Sequence, residues 1–446
     1  MWHNFKYYAR RARELLAAGE FTRALSARIR AWVNKAPFKA RQVTRRTYKE
    51  YSANLPAGFP AKRITLRLSV PPLPVRPPYA FSEHVADEQG HLTDTVLAVA
   101  TGGFAVSGDL GRTWKIVRVD GHSRHSFVQI KAIGDSEFLA QALPPEGRAN
   151  KTSTLDILIV NERGMVLAKH PAQGHRWHGC RGVGFANGTL MYAEYPSNIE
   201  VKGRRPSNAR VLRSRDRGRH WEVVFERGPE QIRHFHFLQA RAGVPGEWWL
   251  TSGDYPHESH IWVSNDDGDS WTDVSDVGED SIEIAGTKFN RSIFRLTDLI
   301  WTDGEVVWAT DDYLGSIRPP GARVFRSKIA ETLKPELVGI GKWHFRNIVD
   351  IGDFFLLISQ RSNQRNRLPE DLKPGVYLMP KNSAPGSSKL VHLFNLDAYP
   401  SNAKAGFTFS KASRATKNGT FFSFRSSELV FPAGHKILEW NVCVEQ

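Results

Sequence analysis

Short runs of aromatic and β-branched residues alternate with polar turns along most of the chain. Three consecutive pairs of runs show the pattern: IRHFHFLQ with EWWLTSGDY, SIFRLTDLIW with VVWATDDY, and FRNIVDI with FFLLIS. Runs of this composition, bounded by Gly, Asp and Pro, are typical of β-strands. Each pair therefore predicts an inner strand followed by the second strand of one sheet, and the whole pattern predicts an all-β protein.

A recurring eight-residue string marks where hairpins are expected to turn. SGDLGRTW begins at Ser107 and fits S-x-D-x-G-x-T-W, while SRDRGRHW at Ser214 and SNDDGDSW at Ser264 are looser copies. In such a string the aspartate accepts hydrogen bonds from turn amides, the glycine allows positive φ and the tryptophan anchors the hairpin. We expect structural roles for Asp109, Gly111, Trp114, Asp216, Gly218, Trp221, Asp266, Gly268 and Trp271.

The strings resemble the Asp-box, or BNR repeat, of sialidase-like β-propellers. Their serines are spaced by 107 and then by 50 residues, so one degenerate copy is expected between the first two, with Asn161 near its turn. Repetition at a fixed period of this size indicates a propeller or a similar array. The resemblance covers roughly residues 80–446 and implies a β-propeller of about seven blades, each of four antiparallel strands.

The chain departs from the sialidase pattern in its chemistry. Sialidases need an arginine triad, an acidic acid/base residue and a Tyr–Glu nucleophile pair, and an early F/Y-R-I-P motif normally supplies the first arginine. That motif is not found, and KRITLR at Lys62 and IFRLTD at Ile293 are poor substitutes. The resemblance therefore implies the fold and leaves the activity open, because function depends on sites and not on folds.

The positive charge of the chain is concentrated at its N-terminal end. The formal net charge is +15 at pH 7, and residues 1–67 contain 16 Lys and Arg against 3 Glu. Apolar residues recur there at helical spacing from His3 to Val33. Such a basic helix predicts either docking on the propeller or, through residues 1–35, contact with an anionic membrane surface. We expect no nucleic-acid binding, because no recognised module accompanies the charge.

Three segments are predicted. Residues 1–60 form a basic amphipathic helical extension, residues 61–79 a closing strand and a Pro-rich linker, and residues 80–446 the propeller. The closing strand is RITLRLSV, Arg63 to Val70, whose alternation suits an outer strand of the last blade. No signal peptide, transmembrane run or disulfide framework is evident. We therefore expect a cytoplasmic monomer, with peripheral membrane association as the alternative.

The candidate chemistry lies on connections that enter the first strand, or leave the second strand, of each blade. These connections share the face of a propeller that lies over its central channel. Arginine, histidine, carboxylate and tyrosine residues gather there, and arginine forks bind anionic groups of sugars. We predict catalytic roles for Glu194, Asp254, Asp311, His234 and His236. We predict substrate-binding roles for Arg181, Arg233, Arg291, Tyr195 and Tyr255.

These residues have three interpretations. Glu194, Asp254 and Asp311 could supply the carboxylate pair that glycoside hydrolysis needs. His234 and His236 point to one side of a strand and could ligate a metal, or one could be the base of a polysaccharide lyase with Tyr195 or Tyr255 as proton donor. Alternatively, the arginines pair with the aspartates as bridges between blades, and the histidines bond to turns.

The leading hypothesis is a carbohydrate-active enzyme, a glycoside hydrolase or a polysaccharide lyase, that acts on an acidic oligo- or polysaccharide. The alternative is a non-catalytic propeller that binds a glycan or a protein at a membrane and is linked to surface-polysaccharide assembly. A deep cluster of mixed acids and bases favours the enzyme, whereas a shallow mouth lined by arginines, with the carboxylates locked in ion pairs, favours binding. We expect no cofactor, with a divalent metal at His234 and His236 as the exception.

Overall fold

The described residues of this computed structural model form antiparallel β-sheets linked by turns. They comprise residues 46–70, 80–87, 90–145, 155–170, 176–177, 181–195, 208–276, 278, 281–311, 322–341, 344–359, 375–382, 390–395, 399–400, 407–409, 413–414, 420–425, 429–430 and 437–446. All of them belong to one compact unit. The described part of the chain contains no helix with the length and hydropathy of a membrane span.

The first two strands and the next four sheets follow one another along the chain. The paired strands β1 (Arg46–Asn54) and β2 (Arg63–Val70) come first. Sheet I contains β3 (Ala80–Ala86), β4 (Leu92–Ala100), β5 (Gly103–Ser107) and β6 (Lys115–Arg118). Sheet II contains β7 (Ser126–Ala132), β8 (Glu137–Leu143), β9 (Asp156–Asn161) and β10 (Val166–His170). Sheet III contains β11 (Arg176–Trp177), β12 (Val183–Ala186), β13 (Thr189–Tyr195), β14 (Ala209–Ser214) and β15 (Glu222–Arg227). Sheet IV contains β16 (Phe235–Ala240), β17 (Trp248–Ser252), β18 (Ile261–Ser264) and β19 (Thr272–Asp273).

Two short 3-10 helices and two further meandering sheets come next. The helices are η1 (Pro256–Glu258) and η2 (Arg291–Phe294), and β20 (Ser281–Ile284) pairs with β21 (Thr287–Asn290) in a hairpin between them. Sheet V contains β22 (Leu296–Thr302), β23 (Glu305–Thr310), β24 (Ala322–Lys328) and β25 (Glu336–Gly341). Sheet VI contains β26 (Phe345–Asp350), β27 (Phe354–Ser359), β28 (Gly375–Pro380) and β29 (Val391–Asn395).

The last strands complete a sheet that uses both ends of the described chain. This closing sheet has the order β1, β2, β35 (Ile437–Glu445), β33 (Thr420–Arg425) and β31 (Phe407–Phe409). The short strand β30 (Tyr399–Pro400) pairs with β34 (Leu429–Val430), and β32 (Ser413–Arg414) lies parallel to β26. Strand β2 pairs with β35 from Arg63↔Glu445 to Ser69↔Glu439. The alternating run RITLRLSV is therefore a strand beside the C-terminal one.

The larger apolar cores lie between two successive sheets. The adjacent residues Trp248 and Trp249 show why, because neighbours on a strand point to opposite faces of its sheet. Trp248 packs into the core shared with sheet III, and Trp249 into the core shared with sheet V. Comparable cores join sheets I and II, II and III, V and VI, and VI and the closing sheet. Sheet I meets the closing sheet through β3 and β33. This succession of meandering sheets is a β-propeller.

The structure corrects the prediction for the N-terminal segment. Residues 46–54, inside the predicted helical extension of residues 1–60, form β1 and pair with β2. The extension is therefore not helical throughout: its last part satisfies its backbone hydrogen bonds in the closing sheet. The helix predicted from His3 to Val33 and the Pro-rich linker lie outside the described residues, and the three segment boundaries stay predictions.

Candidate functional site

The propeller presents two different kinds of polar structure on its two faces. In each meandering sheet, the turn between the third and fourth strands lies on one face. The connection between the second and third strands, and the chain that enters the first strand, lie on the opposite face. The strings at Ser107, Ser214 and Ser264 form the turn between the third and fourth strands in sheets I, III and IV. The predicted site residues lie in the connections on the opposite face or at the strand ends next to them.

The three strings form equivalent turns. In the first, Ser107 Oγ donates to Asp109 Oδ1 at 2.8 Å and accepts from the Gly111 amide at 2.7 Å. Asp109 Oδ1 also accepts from the amide of Thr113 at 2.8 Å. The same serine–aspartate and serine–glycine bonds recur in the other two strings, at 2.6–2.8 Å. Trp114 and Trp221 each donate Nε1–H to the carbonyl of the turn glycine, at 3.0 Å. The turns are thus built from bonds within eight residues.

These local bonds also control the acidity of the turn aspartates. Slight burial raises the pKa of Asp109, Asp216 and Asp266, but hydrogen bonds from the serine, the turn amides and the residue four positions later outweigh it. The pKa of all three carboxyls therefore lies below the usual 3.8. The degenerate copy has no aspartate, but its turn is bonded in the same way: Asn161 Oδ1 accepts from the amides of Arg163 and Met165, each at 3.0 Å.

Two turn glycines also lie where a side chain would not fit. Gly218 has φ +87°, and a Cβ there would lie 2.4 Å from Cδ1 of Ile159 in sheet II. Gly268 has φ +90°, and its Cβ would lie 2.6 Å from Cε of Met191 in sheet III. The turns of sheets III and IV therefore pack directly on the preceding sheets, which agrees with a structural role.

On the opposite face, a buried polar group that we call the central cluster comprises His234, His236, Asp254 and Arg295. His236 lies in β16, His234 directly precedes it, Asp254 follows β17 and Arg295 precedes β22. All four are buried, with relative exposures between 2% and 6%. The Nε2 atoms of the two histidines are 3.1 Å apart, and they lie 3.6 and 3.7 Å from the Asp254 carboxylate. The structure thus brings together three of the five predicted catalytic residues.

Asp254 is held by two guanidinium groups. Arg233 Nη1 donates to Oδ2 at 2.8 Å, and Arg295 Nη2 donates to Oδ1 at 3.2 Å. The backbone amide of Asp254 also donates to Glu258 Oε2 at 3.4 Å, and Glu258 in η1 is fully buried. Both carboxylate oxygens of Asp254 are therefore engaged with cations. Charge-assisted bonds of this kind are among the stronger hydrogen bonds in proteins.

One histidine ring of the cluster, that of His236, is fixed by sheet V. His236 Nδ1 donates to the carbonyl oxygen of Leu296 at 3.2 Å, so in the neutral ring the Nε2 lone pair faces the cluster. Burial lowers the pKa of His236 below 6.5, and the smaller effects of Asp254, which raises it, and Arg295, which lowers it, leave it lowered. His236 is thus a neutral base near pH 7.

Three partly exposed side chains, which we call the rim, lie next to the central cluster. Tyr195 packs against His234, with ring centroids 4.0 Å apart and ring planes tilted by 35°. Arg233 joins the cluster through Asp254, and its side chain is 24% exposed. Tyr255 follows Asp254, is 44% exposed and stacks on His257 with ring centroids 6.1 Å apart. Three of the five predicted substrate-binding residues are therefore partly exposed, and each lies beside a member of the central cluster in space or in the chain.

The other two predicted carboxylates lie in ion pairs of their own. Glu194 is buried and accepts from Arg210 through both oxygens, Nε to Oε2 and Nη2 to Oε1, each at 2.9 Å. Asp311 is buried 4.0 Å from Arg295 Nη2 and 3.8 Å from His344 Nε2. Asp311 therefore borders the central cluster through Arg295, whereas Glu194 belongs to a separate pair within sheet III.

The structure places Arg181 inside the ring and not at its mouth. The side chain is 2% exposed, donates to the Thr297 carbonyl at 3.2 Å and to the amide oxygen of Asn347, and lies 3.6 Å from Asp298. These partners belong to sheets V and VI, so Arg181 crosses the centre of the ring and links three sheets. The guanidinium is thus not accessible to a substrate in this structure, and the substrate-binding role of Arg181 stays a prediction.

Arg291 lies apart from the central cluster. It is the first residue of η2, where Nη2 is 3.4 Å from His260 Nδ1 and Nη1 is 3.6 Å from Asp276 Oδ1. His260 in turn contacts Asp273 at 2.7 Å. Among the described residues, the hydrogen bonds and ion pairs of Arg291 do not join it to the rim or to the central cluster.

Sequence reasoning missed the two arginines that hold the carboxylates. Arg295 was noticed only as part of a poor match to a sialidase motif, and Arg210 was not singled out. Arg295 directly precedes a strand that begins a blade, the position that defined the other candidates, so the same rule could have selected it. Arg210 lies within the third strand of its sheet, where the rule did not apply.

A second group of histidines lies in the connection between sheets I and II. His125 Nε2 is 3.5 Å from Asp156 Oδ2, and the rings of His122 and His125 are 4.5 Å apart. Lys169 Nζ contacts Asp156 Oδ1 at 2.9 Å. These residues are half-buried, in contrast to the buried central cluster.

Comparison with known proteins does not assign the chain to a family. No family model and no curated protein matches it. YCF48 from Cyanidioschyzon merolae aligns over 84% of this chain and 98% of its own, at 11% identity and a TM-score of 0.48. An ancestral GH74 enzyme aligns over 82% and 47%, at 13% identity and 0.44. The Neurospora crassa Pan2 WD40 domain aligns over 91% and 97%, at 10% identity and 0.43. At these values the fold rests on the strand pairing described above, and no function is transferred.

Proposed function

We propose that the protein is a sialidase-like propeller whose seven larger sheets are blades and whose rim binds an acidic oligo- or polysaccharide. One observation carries the binding proposal: a partly exposed guanidinium, that of Arg233, borders the central cluster together with two partly exposed aromatic rings. Tyr195 packs on His234, and Tyr255 directly follows Asp254 in the chain. Aromatic rings provide flat apolar surface for a sugar face, and a guanidinium fork suits a carboxylate or sulfate. An arginine near aromatic rings therefore predicts a ligand that has both a sugar face and an anionic group.

The ion pairs favour binding over hydrolysis. Hydrolysis by two carboxyl groups requires one to donate a proton and the other to attack or to activate water. Both oxygens of Glu194 accept from Arg210, and both oxygens of Asp254 accept from arginines. Either residue would have to leave charged partners before it could act. The carboxylates therefore serve better as anchors for the arginines than as reacting groups.

A polysaccharide lyase is the second candidate, favoured by the contact between His234 and Tyr195. β-Elimination from a uronic acid needs a base for the proton next to the carboxylate, a proton donor for the leaving oxygen and a cation that neutralises the carboxylate. His234, Tyr195 and Arg233 supply these three groups within one contact network. In this scheme His234 is the base, Tyr195 the proton donor and Arg233 the cation.

A panel of acidic polysaccharides tests both candidates. Binding is measured by calorimetry, while reducing ends and unsaturated-uronate absorbance are followed in parallel. Binding without either product signal supports the binding propeller, and both signals together support the lyase. Reducing ends alone would contradict both and return hydrolysis to first place. No binding to any member of the panel would overturn the proposal.

Two variants localise the binding. Tyr255→Ala removes an exposed ring, and Arg233→Lys keeps the charge but loses the fork, so each should weaken binding about tenfold, or about 1.4 kcal/mol. Ile340→Ala is the matched control, because Ile340 is 52% exposed on the outer strand β25. Equal affinity in all three variants would place the ligand elsewhere.

A further inference from the structure

Two imidazole nitrogens and one carboxylate converge in the central cluster with the spacing of metal ligands. The Nε2 atoms of His234 and His236 are 3.1 Å apart. An ion bonded to both nitrogens at about 2.0–2.1 Å would have an N–ion–N angle of about 100°, which lies between the octahedral and the tetrahedral values. Asp254 offers Oδ2 at 3.6 Å from one nitrogen and Oδ1 at 3.7 Å from the other. We propose that these three residues bind one divalent transition-metal ion, for which Zn²⁺ is the probe.

The neighbours of His236 present its nitrogen in the form that a metal needs. Metal-bound histidines commonly donate their second ring N–H to a backbone carbonyl, which fixes the tautomer and the ring plane. His236 Nδ1 makes this bond to Leu296, the first residue of β22. The Nε2 lone pair then points to His234 and Asp254. The bond also means that an ion held by sheet IV is supported by sheet V.

The backbone holds the three ligands within, or one or two residues from, two paired strands. His236 lies in strand β16, and His234 directly precedes that strand. Asp254 directly follows Gly253 at the end of β17, and its amide bonds to Glu258 of η1. All three are ligands from one sheet, so binding needs no movement of one blade relative to another. Ligands on rigid elements are placed more reproducibly than ligands on loops.

The charges around the cluster accommodate a divalent cation. Asp254, Asp311 and Glu258 carry three formal negative charges against two positive charges on Arg233 and Arg295. A carboxylate has two oxygens with about four lone-pair sites in total, so Asp254 can keep its guanidinium bonds while it ligates an ion. Two neutral imidazoles and a carboxylate suit Zn²⁺ and related ions better than Mg²⁺, which prefers oxygen ligands.

The half-buried group of His122, His125 and Asp156 provides an internal comparison. There the Asp156 carboxylate is contacted by Lys169 at 2.9 Å, and both histidines are accessible to water. His122 Nδ1 donates to the Asp120 carbonyl at 2.6 Å, on its own loop. This half-buried group is the control for metal binding by histidines outside the central cluster.

The inference does not depend on the binding of a glycan, but it bears on the two candidate functions. A bound ion would use the His234 lone pair that β-elimination requires. A filled metal site therefore agrees with the binding propeller and not with His234 as a catalytic base. Glycan binding measured on chelator-treated protein separates failure of the metal inference from failure of the proposed function.

The test is a calorimetric titration of the full chain with Zn²⁺ after removal of metals by a chelator. We expect one Zn²⁺ per chain, a higher thermal midpoint with Zn²⁺ than without it and no such response to Mg²⁺. His234→Ala and His236→Ala should each weaken Zn²⁺ binding at least 100-fold, and Asp254→Asn at least tenfold, whereas His125→Ala should leave it unchanged. Absorption of the Co²⁺-substituted protein reports imidazole ligation independently of stability.

Three results would overturn the inference: no stoichiometric Zn²⁺ binding to the wild-type chain, binding that survives both His234→Ala and His236→Ala, or binding lost in His125→Ala. If His236→Ala fails to fold, as judged by circular dichroism, His234→Gln is used in its place. Glutamine keeps a polar side chain at His234, so this variant removes the imidazole ligand without leaving a cavity as large as that of alanine.

Discussion

The carboxylates of the three turns and those near the centre of the ring are held in opposite ways. Asp109, Asp216 and Asp266 accept hydrogen bonds from groups within four residues along the chain. Asp254 is held by Arg295, which is 41 residues away and precedes the next sheet. The turn aspartates therefore shape one hairpin each, whereas the central carboxylates bring distant segments together. Loss of a turn bond leaves neutral amides near water, but loss of a central carboxylate leaves buried cations.

Removal of Asp254 should have the largest effect. Asp254→Ala leaves Arg295 buried and Arg233 partly buried without their shared carboxylate, so we expect the free energy of unfolding to fall by about 3–5 kcal/mol. Urea denaturation measures this loss. Asp254→Asn keeps the side-chain volume and one acceptor oxygen and should cost less. A loss below that of a turn aspartate would contradict the distinction between the two kinds of carboxylate.

Acid should weaken the fold through a buried histidine before the turn aspartates titrate. Burial lowers the pKa of His84 from 6.5 to about 4, although its bond to the Thr93 carbonyl opposes the change. The unfolded chain therefore binds a proton between these values while the folded chain does not. The contribution of neutral His84 to the free energy of unfolding is therefore fully present above pH 6.5 and is lost as the pH falls toward 4. The loss is about 3 kcal/mol, because each pKa unit corresponds to about 1.36 kcal/mol.

The free energy of unfolding is measured by urea denaturation at several pH values between 6.5 and about 4. His84→Gln should flatten the slope of this free energy against pH. His257→Gln, which changes a side chain that is 65% exposed, should leave the slope unchanged. The turn aspartates act in a separate window: their pKa is depressed, so their contribution is lost only as the pH falls below 3.8. An unchanged slope in His84→Gln would assign the acid sensitivity to another group.

Removal of a turn aspartate should have a smaller effect. Asp266→Ala loses two hydrogen bonds from Ser270 and one from Ser264, and we expect about 1 kcal/mol of lost stability. Asp303→Ala is the control, because Asp303 is exposed in the turn between β22 and β23. If Asp266→Ala costs as much as Asp254→Ala, the turn supports more than its own hairpin.

An exposed ion pair between sheets should contribute least. Lys115 Nζ lies 3.3 Å from Glu162, and the side chains are 60% and 49% exposed. Pairs of this kind contribute about 0–1 kcal/mol and are weakened by salt. Lys115→Ala should therefore change the urea midpoint little, and less at high ionic strength. A loss comparable to that of Asp254→Ala would mean that exposure does not separate the two classes of ion pair.

The turns and the strands were predictable because their causes are local. Ser214, Asp216 and Gly218 bond to one another within a single string, so residue spacing alone specifies them. The strand at Arg63–Val70 follows from its alternation, and its pairing with β35 agrees with the closure expected from an incomplete last blade. The segment at Arg46–Asn54 was misassigned, because its strand is stabilised by β2 and not by its own pattern.

The centre was predictable only in its residue types. The sequence singled out His234, His236 and Asp254 but could not show that Arg233 and Arg295 occupy both oxygens of the carboxylate. Arg181 illustrates the limit most clearly. It precedes a first strand like the other candidates, yet it points into the ring and bonds to residues more than 100 positions away. The position of a residue relative to a strand predicts the face of the propeller on which it lies, but not whether its side chain points into the ring.

The pairing of β2 with β35 has a consequence for how the protein is made. During synthesis, β2 leaves the ribosome long before its neighbour β35, because most of the other strands lie between them in the chain. Until then one edge of β2 exposes unpaired backbone groups, which can pair with another chain. Premature termination before residue 437 would leave that edge permanently open. Chains cut short at the C-terminal end should therefore aggregate during translation, even when every other sheet is intact.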